Sequence, residues 1–439
     1  MIFLSEHKSY DITQKGNELL FETLKTKSVR VFRTERGQVI SPFSLSVSEE
    51  KITLASHYYI GIDWLATGVP LYVAPKMNHK SQEVEIDYLR MLSEVYKAPI
   101  AAEYTQDLIK IYWEESYITI NQQRDDLTPF IIVSFLQLLK RIVRKGLKKS
   151  YYIEEKNLCG RIKGRIQLSK HLKENVLKHK QTSHVCQYQA FGIDNVENRF
   201  LKKVLGFIIS FRNNHPEFFM GNIAIVNALI AYCTSYFELI SDEIPHEALK
   251  KLSINPFFKE YKEAIEIGKH ILKRFSYNIT ETTQQKVAIP PFWIDMPKLF
   301  ELYVYVKLQE QFGREAVTYH LMADYTELDF LLNTPTQKMV IDTKYKPHYQ
   351  SGKIDIADIR QVSAYARLEK VYEKLGITNS LIDCLIIYPS FEHTQFNIED
   401  REEVSEYRNV YKLSISVPLI SSQHSVATNT KIKIKHSKI

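Results

Sequence analysis

The feature that most limits how this 439-residue chain can fold is the rhythm of its apolar residues after Asp295. Asp295 can cap a helix whose first turn carries Pro297, and apolar positions continue at helical spacing through KLFELYVYVKLQEQF. Three β-branched runs follow, AVTYHLM, LDFLLN and KMVIDTKYK. A helical stretch over DIADIRQVSAYARLEKVYEKLG comes next, then the runs CLIIYP and YKLSISVPL. An order that opens α-β-β-β-α-β is that of an α/β domain with a mixed central sheet flanked by helices.

The rhythm upstream is different. Through the first hundred or so residues, SVRVFRT, GQVISPFSLSV, EKITLASHYYIGIDWLATG and VPLYVAPKM read as strands separated by turn residues. From Glu83 the period turns helical, through VEIDYLRMLSEVYKAP and TPFIIVSFLQLLKRIVRKGLKK. TETTQQKVAIPP, at 280–291, reads as a linker or domain boundary. The expected fold is therefore multidomain, α+β and α/β. A β-rich region spans 1–125, a basic and helical region 126–285, and an α/β domain 286–439. No internal repeat is visible, and no role attaches to the helical segment 205–280.

Composition narrows the class. With 44% apolar residues, 27 Tyr and 22 Phe, the chain can bury large cores, which excludes disorder as its main state. Cysteines 159, 186, 233 and 384 form no CxxC pair, which argues against a disulfide framework and against a cysteine zinc or iron–sulfur site. His171, His179, His184 and Cys186 match no familiar zinc spacing and read as surface or packing residues. MIFLSEHKSYD does not have the pattern of a signal peptide. The segment Phe218–Phe237 lacks charge but includes Gly221, Asn222 and Asn227 at otherwise helical apolar spacing, so a buried core helix is expected, not a membrane span. A cytoplasmic protein is the expectation.

The net charge of +7 is unevenly spread. Between Lys140 and Lys180 stand fourteen Lys and Arg against three Glu, a local excess of +11. Such a run is either a solvated face or a phosphate-contacting surface. The interleaving of basic residues with glycine in GRIKGR, at 160–165, favours DNA contact by Arg161, Lys163, Arg165, Lys148 and Lys149.

The chemistry concentrates at Asp342 and Lys344 in KMVIDTKYK. Residues i and i+2 of a strand share a face, so a carboxylate and an ammonium project side by side. Asp329, in the preceding strand, reaches that face across an antiparallel pair. Two carboxylates and a lysine form a small site for a hard cation such as Mg²⁺, with the lysine neutralising charge that develops on phosphate. Acid-x-Lys triplets are common in so charged a chain, and an exposed strand ion pair is the competing reading. Context favours the site: Glu301 on the preceding helix can reach the metal, and Gln361 and Tyr365 stand i,i+4 on the following one.

Asp329-Phe330, IDTKYK and DIRQVSAYA together resemble the PD-(D/E)XK nuclease superfamily, although Leu328 stands where a proline often precedes the first acid. GVPLYVAPKMN (68–78), GRIKGRI (160–166), ENRFLKKVL (197–205) and MPKLFELYVYVKL (296–308) extend the likeness to the McrC family, the nuclease subunit of McrBC modification-dependent restriction systems. The resemblance implies metal-binding acids at 329 and 342, a catalytic Lys344, a Gln361/Tyr365 helix motif, and Mg²⁺, with Mn²⁺ as a substitute. It further implies a ring-forming McrB-like AAA+ GTPase hexamer as partner, contacted by the N-terminal region, with double-stranded DNA as substrate and no membrane. No GxxxxGK[ST] occurs, so GTP is expected on the partner. Asn198 and Arg199 match the family's Asn-Arg pair, whose role is open between function and structure. Two other readings are an assembly module that stimulates the GTPase with little or no cleavage of its own, and a stand-alone restriction or repair nuclease.

Overall fold

The computed structural model describes residues 2–6, 9–11, 32–33, 39–47, 52–66, 68–74, 86–98, 104–105, 108–121, 127–219, 223–244, 258–278, 286–323, 326–346, 349, 353–378, 380–392 and 394–419. The chain divides into two compact units, residues 1–120 with 288–439, and residues 121–287. The segments expected as separate N- and C-terminal regions thus share one unit, and the middle of the chain is inserted into it.

In the first unit, β1 (Ile2–Ser5), β2 (Tyr59–Ala66), β3 (Val69–Ala74), α1 (Tyr88–Lys97) and β4 (Ile109–Ile111) come before the insertion. Helix α1 starts where Asp87 accepts the Arg90 N–H at 2.9 Å. The run SVRVFRT is described as a strand only at Phe32–Arg33.

The second unit holds α2 (Leu127–Lys145), β5 (Ser150–Cys159), β6 (Arg165–Ile166), β7 (Ser183–Gly192), α3 (Val196–Asn214), α4 (Ile223–Thr234) and α5 (Lys259–Asn278). Its helices bury the stripe predicted on α2, including Ile131, Phe135, Leu138 and Leu139. The three-stranded sheet, in the order β5-β7-β6, was not expected in a helical region. The uncharged stretch 218–237 is not one buried helix. It contains α4 and a 3₁₀ turn at Ser235–Phe237, and Tyr232 and Tyr236 are exposed. No helix among the described residues is long and apolar enough to cross a membrane.

The chain re-enters the first unit at β8 (Phe292–Asp295), followed by α6 (Met296–Phe312), β9 (Val317–Ala323), β10 (Thr326–Asn333), β11 (Lys338–Thr343), α7 (Ile356–Tyr365), α8 (Glu369–Leu375), β12 (Asp383–Ser390), β13 (Glu402–Glu403) and β14 (Val410–Ser416). Strand β8 pairs with β2 and β4, completing a five-stranded sheet ordered β1-β3-β2-β8-β4. Gly61 permits this: its φ is 151°, and a Cβ there would lie 2.0 Å from the Phe292 carbonyl. Asp63, buried, accepts the Trp293 indole N–H at 3.1 Å.

The six-stranded sheet runs β9-β10-β11-β12-β14-β13. It is antiparallel from β9 to β11, parallel from β11 through β12 to β14, and antiparallel at β13. This is the mixed sheet that the alternating rhythm predicted. Asp295 caps α6 by accepting the Lys298 N–H at 2.9 Å, as the sequence implied. The helix expected over DIADIRQVSAYARLEKVYEKLG is two helices, α7 and α8, broken at Ala366–Leu368. Both halves pack onto the sheet through Ile359, Val362, Val371 and Leu375.

Candidate active site

The site forms where β10 and β11 part. Their ladder pairs Phe330 with Ile341, and the same register continued would set Asp329 opposite Asp342. The Asp329 carboxylate instead accepts the backbone N–H and the hydroxyl of Thr343, each at 2.7 Å, closing the strand end with a side chain. Asp342 is 1% exposed at the end of β11. Beyond it, the Lys344 N–H donates to the Ile387 carbonyl at 2.9 Å and so keeps the extended line of the strand.

Lys344 Nζ lies 2.7 Å from Asp342 Oδ2. This is a close ion pair without hydrogen-bond alignment, and that buried oxygen accepts no hydrogen bond. Lys344 Nζ donates to Gln361 Oε1 at 2.9 Å, and Gln361 Nε2 donates to the Tyr365 hydroxyl at 2.6 Å. A continuous polar line therefore runs from Asp342 through Lys344 to both residues of the i,i+4 pair on α7.

The electrostatics are those of crowded carboxylates. Burial, then the charges of Glu301 and Asp342, push the Asp329 carboxyl well above the usual range. Burial pushes Asp342 up to about 6 against the pull of Lys344. Burial works against the charge on Lys344, but attraction by Asp342 and Asp329 outweighs it and the ammonium is held. A site that raises two carboxyls and leaves one buried oxygen without a hydrogen bond has the donor chemistry for a hard divalent cation. Asp329 and Asp342 are the residues that would hold it.

Glu301 stays near enough to raise Asp329 but is tied to a histidine: its Oε1 is 2.6 Å from His320 Nε2, and no group of three or more His, Cys, Asp or Glu among the described residues is poised to hold a metal ion. Sequence reasoning missed His320 and Glu327. The i,i+2 relation of Glu327 to Asp329 could have flagged the glutamate, whereas nothing in the sequence marks the histidine. It also missed Lys346, whose Nζ binds Asp355 at 2.8 Å and Asp358 at 2.7 Å, with the Tyr349 hydroxyl donating to Asp358. This knot ties the end of β11 to the start of α7.

In the second unit, Arg161, Lys163, Arg165 and Lys149 are exposed, and Lys163 lies 4.1 Å from the centroid of the Tyr188 ring. Lys148 differs from the expectation: it is nearly buried and bonds Glu197 at 2.6 Å, because its own carbonyl anchors the start of α3. Gly164, at φ 70°, allows close approach to the Gln187 carbonyl of its own sheet, so the glycine serves folding and not a ligand. Asn198 donates to the carbonyls of Lys148 and Ile193 and accepts from Tyr261. Arg199 grips Asp194 with two nitrogens, at 2.9 and 2.7 Å. The Asn-Arg pair thus holds α3 to the strands before it and to α5.

The family model of the McrBC 5-methylcytosine restriction system component matches residues 54–389. The match spans more than half of the chain, which belongs to this family. Among solved structures, the chain is similar to one in the refined half-complex of Thermococcus gammatolerans McrB AAA+ hexamers with bound McrC, at 14% identity, TM-score 0.38 and 94% coverage of each chain. It is also similar to a chain of the Thermococcus gammatolerans McrBC complex, at 15% identity and TM-score 0.29, with 71% of this chain and 88% of that chain covered. A search of curated proteins found no significant match.

Proposed function

We propose that this chain is the metal-dependent DNA endonuclease subunit of a McrBC-type restriction complex, built on a PD-(D/E)XK core. The observation that carries the reading is the line Asp342–Lys344–Gln361–Tyr365, with Asp329 on the adjacent strand. Family membership supports the restriction context.

Asp329 and Asp342 would hold Mg²⁺ or Mn²⁺, which when bound polarises the phosphate and makes an attacking water more acidic. Lys344 places a fixed positive charge where negative charge grows on the phosphate, and Gln361 keeps it there. Tyr365 orients the Gln361 amide. The basic arm of the second unit, through Arg161, Lys163, Arg165 and Lys149, would follow DNA phosphates. The nucleotide motor would be a McrB-like AAA+ GTPase hexamer on a separate chain, as membership of the restriction-system family suggests.

Replacing Asp342 with Ala tests the reading. The assembled complex should lose DNA cleavage while the variant still stimulates GTP hydrolysis by its partner. Cleavage that survives the change would remove the assignment, and an unaltered GTP turnover on adding the wild-type chain would remove the partner.

A further inference from the structure

We propose that His320 is a positioning residue of this site, holding the Glu301 carboxylate beside Asp329 while Glu327 lies close against the other side of its ring. The inference deepens the metal-dependent reading above and rests on it.

Each ring nitrogen of His320 faces a carboxylate: Nε2 is hydrogen-bonded to Glu301 Oε1 at 2.6 Å, and Nδ1 lies 3.1 Å from Glu327 Oε1, a close contact without hydrogen-bond alignment. The three side chains come from α6, β9 and β10, so the contact ties the helix to the strand that carries Asp329. Within β9 the ladder pairs Tyr319 with Phe330 and Leu321 with Leu328, and skips the position where His320 stands opposite Asp329.

The backbone explains how the ring gets there. Neighbouring strand residues ordinarily project to opposite faces. His320 instead has φ 54°, and its ring stacks on that of Tyr319 with centroids 3.7 Å and planes 23° apart. A left-handed conformation is costly for a residue with a Cβ, and such strain persists where the surroundings impose it and gathers at functional sites. Tyr319 is itself stacked on Tyr305 and Phe330, which makes a rigid wall for the imidazole. Packing alone would need a flat ring here, not one with a carboxylate at each nitrogen.

The electrostatics supply the reason. After burial, Glu301 is the largest influence raising Asp329, so these carboxylates repel one another. A fixed contact is needed to keep Glu301 near that pair. Partners that orient the residues of a metal site in this way typically change metal affinity by about 10- to 100-fold when removed.

Calorimetric titration of Mn²⁺ into the full chain tests the role with two complementary variants. His320→Asn accepts the left-handed backbone but lacks the ring; His320→Phe keeps the stack on Tyr319 but lacks both nitrogens. Both should fold, and both should raise the Mn²⁺ dissociation constant about 10-fold or more. Glu327→Gln should shift it less, in the same direction. Because His320 acts through Glu301, His320→Asn combined with Glu301→Gln should bind no more weakly than Glu301→Gln alone. Unchanged affinity in both His320 variants, or losses that simply add, would overturn the inference while leaving the nuclease reading in place. If Asp342→Asn bound Mn²⁺ as the wild type does, the metal site itself would fall, and this inference with it.

Discussion

Asp329 shows at one residue how the proposed metal site works against stability. Its carboxyl is buried among Glu301 and Asp342 and strongly prefers the neutral form, so its ionised state at neutral pH opposes folding. Asp329→Asn keeps an oxygen for the two Thr343 donors and removes the charge. We expect the variant to lose cleavage and to melt higher than the wild type at pH 8 in EDTA. The sign with pH follows from the raised folded-state value: the wild type regains stability as pH falls and Asp329 takes up its proton, so the gap should narrow toward acid. Equal or lower melting at pH 8 would contradict this account. The same residues show what was legible in advance. Asp329, Asp342 and Lys344 follow from strand periodicity and meet as expected, whereas His320 depends on a φ of 54° that no pattern of residue types announces.

At the scale of elements, the pairing of Lys346 with Asp358 sets how α7 meets β11, and therefore where Gln361 finds Lys344. Lys346→Ala leaves the Asp358 carboxylate, 7% exposed, with the Tyr349 hydroxyl but without its cation, and should cost about 2–3 kcal/mol in urea unfolding. It should also lower the cleavage rate, because the start of α7 loses its tether. Lys170→Ala, which breaks an exposed pair with Glu155, should change neither. An equal effect of the two substitutions would show that the knot does not position the helix. Legibility varied here for physical reasons. Asp295 and Pro297 announced the start of α6 because capping chemistry is local. The break between α7 and α8 has no glycine or proline to mark it, and packing onto the sheet decides it. The β5–β7 hairpin was missed because Tyr151, Ile153 and Phe191 on it are exposed, so the alternation that betrays a half-buried strand is absent.

For the whole molecule, charge and chemistry lie in different units. The +11 excess falls within the inserted unit, on whose sheet Glu154 and Glu155 neutralise Lys156 and Lys170. Arg161 and Arg165 therefore carry more of any phosphate contact than the raw count implied. Replacing both with Gln should lower DNA affinity and reduce the slope of log affinity against log salt by about 2, leaving Mn²⁺ affinity unchanged. An unaltered slope would make the arm merely a solvated surface.

The late arrival of β8 has a consequence for synthesis on the ribosome. Strand β2 needs β8 as its neighbour, yet the whole second unit is translated between them. Until residues 292–295 emerge, the nascent N-terminal sheet waits with an open edge while the inserted unit is already free to fold. Pairing so distant in sequence closes slowly, and an open edge invites wrong partners, so overproduction should tax chaperones before the chain is finished rather than after its release.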